Sequence, residues 1–404
     1  MAVAAATPIL RIHNLQPSVV GGNELTRMET TSDVQAAGVV CLSALKSATN
    51  SSCTTGKSVQ FKLPKESSTN VLRSSRRSNE FVAEEEAPDR VTESQQESEP
   101  SDSTAAAAQP EYIWMSNVEV KRTRPSSFNR RWSSKDISIA GFMTFMHAMC
   151  LLAPFTFSWN AVRLCAALSF ITGMFGITLS FHRNLSHKSF KLPKWLEYTF
   201  AYCGVQAVQG DPLDWVSLHR YHHQYCDTEM DPHTPHEGFW HSHIGWLFDE
   251  KPIRRSVSHS NVGDMEKDDF YQFLHKTYII HPVLLSLALY ALGGAPYLVW
   301  GMAVRLVWVY HVTWFVNSAS HVWGTQPWNT GDLSKNNWWV AMVAYGEGWH
   351  NNHHAFEYSA RHGLKWWQLD PTWWTILGLG AIGLATKIKL PRPEHMKRLA
   401  TKSS

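Results

Sequence analysis

The sequence predicts an all-α membrane protein: four transmembrane helices with a helical cap, bearing histidine-rich motifs, on one membrane face. Three observations lead there. Four apolar stretches, at about 137–158, 160–181, 278–300 and 302–322, approach the length that a bilayer core requires. The two inter-helix turns, at Ser158-Trp-Asn160 and near Gly293-Gly-Ala-Pro296, carry almost no charge, whereas every other connection carries Lys and Arg. The positive-inside rule then puts both termini on one side. Histidines gather in groups in the connections on that same side and at the helix ends that face it.

Composition narrows the class. The 404 residues carry a net charge of +3 with 18% charged residues, too balanced for a nucleic-acid binder. The 19 Trp suit a chain that meets a membrane interface. A mean hydropathy of -0.25 looks soluble only because a long polar head dilutes the apolar segments. The six Cys form no Cys-x-x-Cys pair, which fits a reduced compartment and no disulfide framework.

Residues 1–79 are rich in Ser, Thr, Ala and Val, with few acids and scattered Lys and Arg, the profile of an organelle transit peptide. Residues 80–111 turn acidic and rich in Ser, Gln and Ala; they cannot bury enough apolar surface to fold and read as a linker. A folded domain is expected over 112–404. It opens with a basic run, Lys121 to Lys135, before the first hairpin of helices. The second helix delivers His182 from its end. A short apolar segment at 194–212, with Gln206 and Gln209, fits an interfacial helix. The hydrophilic region 213–276 precedes the second helix pair. Trp373 to Ala385 is apolar but short for a span.

Three histidine groups stand out. His182 and His187 bracket Arg-Asn-Leu-Ser. His219, His222 and His223 are spaced i, i+3, i+4, and His350, His353 and His354 repeat that spacing. On a helix it puts three imidazoles on one face. A lone His on an apolar face is usually packing; three groups, two with identical spacing, point to a metal. In the fourth apolar stretch Asn317 and His321 are i, i+4 at the helix end, aimed at the same side. Nine histidines are about twice what one zinc needs, which argues for two metals. With no carboxylate or thiolate at the repeated positions, iron fits best, although ligand type alone excludes neither copper nor zinc. Asp214, Asp227, Asp231, Glu347 and Glu357 are the candidates to orient the rings. His233, His236, His241, His243 and His311 are read as packing or surface.

Two other classes compete. A haem-bearing electron carrier needs one or two axial ligands per iron, so clustered histidines would be surplus. A metal transporter would place ionisable groups within the spans, and here they lie at helix ends and in loops.

The motifs His219-Arg-Tyr-His-His223, Asp231-Pro-His233, Gly245-Trp246, Asn317-Ser-Ala-Ser-His321 and Gly346-Glu-Gly-Trp-His-Asn-Asn-His-His354 resemble, in order and spacing, those of the membrane fatty-acid desaturases, in particular the delta-9-like branch. The resemblance covers about 112–390, and Ala355 to Gly363 is similar to the plant members. It implies that the nine histidines bind two irons, that Asn317 reaches a metal through water, and that the substrate is an acyl lipid. Hydroxylation is the rival chemistry, because the ligands alone do not decide the fate of the second hydrogen. Neither a His-Pro-Gly-Gly motif of a fused b-type cytochrome nor a Gly-x-Gly-x-x-Gly fingerprint after a strand occurs, so electrons are expected from a separate protein. Together with the acid-poor head, the resemblance implies a chloroplast membrane, ferredoxin as donor, and desaturation of palmitoyl-monogalactosyldiacylglycerol at carbon seven. Delta-9 desaturation of acyl-CoA or another lipid is the alternative. Lys188, Lys191, Lys194, Arg254 and Arg255 are the expected docking cations, and Phe170, Met174 and Trp314 the expected tunnel lining.

Overall fold

A computed structural model of the chain describes residues 110–125 and 129–401. The expected transit peptide and all but the last two residues of the expected linker lie outside the described residues. Among the described residues there is no strand, only helices and isolated bridges.

The first long helix, α1 (Ser134–Cys150), starts on a capping box: Ser133 Oγ accepts from Asp136 N, and Asp136 Oδ2 accepts from Ser133 N. Asp136 also accepts from Arg130 Nη1 at 3.0 Å and from Glu250 N at 2.9 Å, so the helix start is tied to a distant loop. After a short turn, α2 (Trp159–Ser186) begins on Ser158, whose side chain accepts from Ala161 N. From Phe170 onward its hydrogen bonds run i→i−5. It packs closely on α3 (Lys194–Val205): a Cβ on Gly176 would lie 2.5 Å from Gly204 N.

Helix α4 (Pro212–Tyr225) has Asp211 as its cap and Pro212 at its first position, where a missing N–H costs nothing. Short helices and loops lead to α5 (Asp269–Thr277) and then α6 (Ile280–Leu298). Gly294, at φ 63°, breaks α6 beside Pro296. The turn between the last two apolar helices therefore falls at Gly294, and the helical run resumes through residues 299–304 into α7 (Arg305–Asn317). Beyond it come α8 (His350–Ala355), α9 (Pro371–Ala381) and α10 (Pro393–Leu399).

Among the described residues, two helical runs are long and apolar enough to cross a membrane, Trp159–Ser186 and Ile280–Val322. Leu289, Met302, Leu306, Tyr310 and Trp314 from the second run and Met146 from α1 form one buried cluster. Exposed Phe145, Leu151, Phe155, Leu284, Leu287 and Leu292 leave broad apolar faces on these same helices.

Candidate metal centre

The winding of α2 sets the first group. In an ordinary α-helix, residues five apart point about 140° away from each other. With i→i−5 bonding, His187 N donates to His182 O at 3.2 Å, and the two rings come to a centroid distance of 4.9 Å. Helix α4 brings His219, His222 and His223, α8 brings His350, His353 and His354, and a short turn after α7 brings His321. Asn317 is the last residue of α7, and His321 sits in the following short helix Ala319–Val322 rather than on the same last turn.

All nine histidines converge, and they sort into five and four. His182, His187, His219, His223 and His353 place one ring nitrogen each within 4.8 Å of one another. His353 Nε2 lies 3.0 Å from both His182 Nε2 and His223 Nε2, and His187 Nε2 lies 2.7 Å from His219 Nε2. In the other group, His350 Nε2 is 3.0 Å from both His321 Nε2 and His354 Nε2, and His222 lies beside His321 and His354. Two metal–imidazole bonds of about 2.1 Å at a right angle hold their nitrogens about 3.0 Å apart. Without a cation, so many lone pairs would face each other.

Carboxylates on the outer side fix which nitrogen faces inward. A carboxylate only accepts, so a neutral ring beside it donates from Nδ1 and keeps the Nε2 lone pair free. His222 Nδ1 is 2.9 Å from Asp231 and His321 Nδ1 3.1 Å from Asp227, both in hydrogen-bonding geometry; His223 Nδ1 lies 3.3 Å from Glu357 and His182 Nδ1 2.7 Å from Glu347, at ion-pair distance but without hydrogen-bond alignment. Four of the five expected carboxylates thus sit at the centre. Asp214 does not: it pairs with His259 at 2.7 Å. Its place is taken by Asp332, 2.9 Å from His354 Nδ1. Asp332 is held in its own turn, where its other oxygen accepts from Thr330 and Ser334.

Electrostatics favour the neutral form at several of these rings but not at His321, where burial opposes the charge and Asp227 beside it raises the ring's basicity. Burial, and then neighbouring imidazoles, push His219, His350 and His353 well below the usual histidine range. Burial opposes the charge of Asp231, yet His222 and His233 beside it hold its carboxyl well below the usual carboxylate range. Cys226 lies 3.8 Å from His222 Nε2. Burial and then Asp227, Asp231 and Asp332 push its thiol well up, and the sulfur falls in the same close group as His222, His321 and His354. Asp231→Asn, which keeps the shape but leaves His222 without an anionic acceptor, should lower metal affinity and turnover about 10–100-fold; chelator titration of purified protein alongside product assay measures both, and unchanged values would remove Asp231 from this role.

Sequence reading missed several groups. Arg183, fully buried, donates Nε to Glu347 at 3.0 Å, grips Asp370 through both Nη atoms at 3.0 and 2.9 Å, and reaches Ala360 O at 2.8 Å. His362 Nδ1 lies 3.1 Å from Glu347, and its ring is 4.5 Å from that of His353. Of the histidines read as packing, His233 stacks 4.4 Å from His222. His311 bridges His147 Nε2 and His243 Nε2 at 3.0 Å each, and His243 Nδ1 reaches Ser318 Oγ at 3.0 Å, next to Asn317.

A partly open cavity borders the centre. His182, His219, His222, His350 and Asn317 line one part of it; Ile177, Trp308, Val309, Val312 and Val316 make the rest largely apolar. The helices match the expected tunnel, α2 and α7, but the residues differ. Gly173, Ile177 and Thr178 face the space. Phe170 instead packs edge-on to Tyr345 and is 41% exposed, Met174 is buried elsewhere, and Trp314 stacks on Tyr310.

A helical protein with apolar helices and a centre of clustered imidazoles beside a largely apolar cavity fits the class of membrane lipid-modifying oxidoreductases. The chain belongs to the fatty acid desaturase family, whose model matches residues 157–381. It is 60% identical over 300 residues to the chloroplastic palmitoyl-monogalactosyldiacylglycerol delta-7 desaturase of Arabidopsis thaliana, covering 73% of this chain and 81% of that one. It is 54% identical to an acyl-CoA C20 Delta5-desaturase of Anemone leveillei (74% and 97% covered) and 49% identical to the delta-9 acyl-lipid desaturase 1 of Arabidopsis thaliana (70% and 93%). It is an acyl-lipid desaturase.

Proposed function

We propose that this chain is a di-iron, O2-dependent desaturase that introduces a cis double bond at carbon seven of palmitoyl-monogalactosyldiacylglycerol in a chloroplast membrane, with ferredoxin as electron donor. The observation that carries it is the sorting of nine imidazoles into groups of five and four beside an apolar cavity. An all-imidazole donor set suits iron. The 60% identity to a chloroplastic delta-7 enzyme supports the substrate and the compartment.

His182, His187, His219, His223 and His353 would hold one iron, and His222, His321, His350 and His354 the other, with Asn317 reaching the second through water. When bound, iron with O2 supplies the oxidant strong enough for an unactivated methylene. The protein does the rest. The apolar wall of Ile177, Val309 and Val312 excludes water and lays the acyl chain along the imidazole faces. Asp231, Asp227, Asp332, Glu357 and Glu347 hold the rings in one tautomer. The acyl chain gives up two hydrogens, two carriers each give one electron, solvent gives two protons, and one O2 leaves as two waters.

The same reading makes α1, α2 and the two helices that meet at Gly294 the four spans, with the histidine-bearing elements as a cap on one face. Helix α2, at 28 residues, exceeds the roughly 20 that a bilayer core needs, so the turns carrying His182 stand clear of the hydrocarbon. Residues 1–79 would serve as transit peptide, 80–111 as linker and 112–404 as the desaturase domain.

Lipid profiling tests the proposal. A knockout should lose sn-2 hexadecenoate from monogalactosyl lipid, and expression of the chain without residues 1–79 should not restore it. A change confined to delta-9 monoenes on acyl-CoA or phospholipid would overturn the substrate and the compartment together.

A further inference from the structure

A second opening reaches the centre, and it shares no lining residue with the acyl cavity. Its floor includes His187, from the group of five, and His354, from the group of four; His395, Tyr358 and Leu399 stand at its rim. One pit therefore touches both metal-ligand groups.

The rim is built by the C-terminal strap, residues 386–401. Thr386 and Lys191 exchange backbone hydrogen bonds at 2.8 Å, Lys389 N donates to Ser189 O, and Arg392 N donates to Tyr358 Oη at 3.2 Å. Farther on, Asn329 N donates to Leu399 O at 2.8 Å and Thr401 N to Pro327 O at 3.1 Å. The strap thus arcs from the loop after α2 to the loop before α8, around the pit. It exposes Lys387, Lys389, Arg392, Lys397 and Arg398 against a single Glu394. None of these five cations has a carboxylate partner among the described residues. Burial and then Arg398 and Arg392 lower the basicity of His395, which marks both guanidiniums as neighbours of the pit.

The cations expected from sequence behave differently. Lys188 is paired with Asp264 at 2.8 Å, Lys194 with Glu197 and Asp268 at 2.8 and 3.0 Å, and Arg254 with Glu250. Their charge is already answered within the chain. Lys191 and Arg255 of that set have no carboxylate partner among the described residues; Lys191 is bonded to the strap at Thr386, whereas Arg255 lies away from it, against Met230 Sδ.

We propose that the strap is the docking surface for the electron donor, an acidic ferredoxin, and that the pit beneath it is where electrons enter. This rests on the reading of the chain as a ferredoxin-driven desaturase. An unpaired basic rim attracts an acidic protein and speeds its encounter, with a dependence on salt. The pit then brings the carrier's edge toward His187 and His354 without opening the acyl cavity. Each carrier gives one electron and is oxidised; two such transfers, with two protons from solvent and two hydrogens from the acyl chain, reduce one O2 to two waters.

The test uses full-length protein in galactolipid nanodiscs, with turnover driven either by ferredoxin and its reductase or by dithionite-reduced methyl viologen. In Arg392→Glu/Arg398→Glu, the ratio of ferredoxin-driven to viologen-driven turnover should fall at least tenfold at low salt, with a raised KM for ferredoxin and a flatter dependence on ionic strength. Lys188→Glu/Lys194→Glu should leave that ratio within twofold of wild type. A wild-type KM for ferredoxin in the first variant, or a larger effect in the second, overturns the docking surface alone. Wild-type turnover with viologen and with a b-type cytochrome, but never with ferredoxin, overturns the donor reading and this partner with it.

Discussion

His353→Ala should abolish desaturation and empty the group of five. Its Nε2 lies 3.0 Å from two other ring nitrogens, those of His182 and His223, and its side chain is completely buried. No water-exposed side chain can swing in to replace it. Loss of a group that only orients a ligand costs about 10–100-fold, so loss of this ligand should exceed a hundredfold in turnover. Elemental analysis should show bound metal falling by one ion per chain or more, while gel filtration in detergent shows an intact monodisperse protein. Two irons per chain and a measurable rate in the variant would remove His353 from the centre.

Arg183→Leu should destabilise the fold more than any single change at the surface. The guanidinium answers two buried carboxylates, Glu347 and Asp370, and one carbonyl. Removing it leaves two uncompensated anions in a dry interior, at a cost of about 3–5 kcal/mol. For a domain of this size that corresponds to a fall of roughly 10 °C in apparent Tm, using about 2–4 °C per kcal/mol. Arg183→Lys should rescue little, because a point charge cannot span both acids in the way a planar fork does. Glu347 also faces His182 and His362, so activity should fall with stability. Thermal unfolding in detergent measures the first effect. A variant melting within about 2 °C of wild type would mean that the network contributes little, which is the outcome for many exposed pairs.

Much of this centre was legible before any coordinates. Apolar runs marked the helices because a bilayer imposes a length, and the i, i+3, i+4 spacing marked α4 and α8 because an ordinary helix turns that spacing into one face. The pairing of His182 with His187 was visible only as a motif. Its geometry depends on the i→i−5 winding of α2, for which the residues 170–186 give no simple local signal. The tunnel is legible as far as its helix but not its face: Phe170 and Met174 lie on α2, yet Gly173 and Ile177 face the cavity, and only the packing of the fold decides between two faces with the same spacing. Asp332, Arg183 and His362 were missed for another reason. Each acts on a partner distant in sequence, and a lone acid in a loop or a lone Arg at a helix end looks like solvated surface until the fold closes. The unpaired strap cations became visible only once Lys188, Lys194 and Arg254 were seen to be answered by nearby acids.

The order in which ligands appear along the chain constrains how the enzyme is made. When the first pair of apolar helices has left the ribosome, only His182 and His187 of the nine exist outside it. The group of four waits for His350 and His354, and Arg183 waits for Asp370, 187 residues further along the chain. The strap, which bonds back to Lys191 and Pro327, is synthesised after all nine histidines. Filling of the centre is therefore a late step that follows synthesis of the chain as far as His354, and a stalled or truncated chain leaves the early histidines as a partial, weakly binding site.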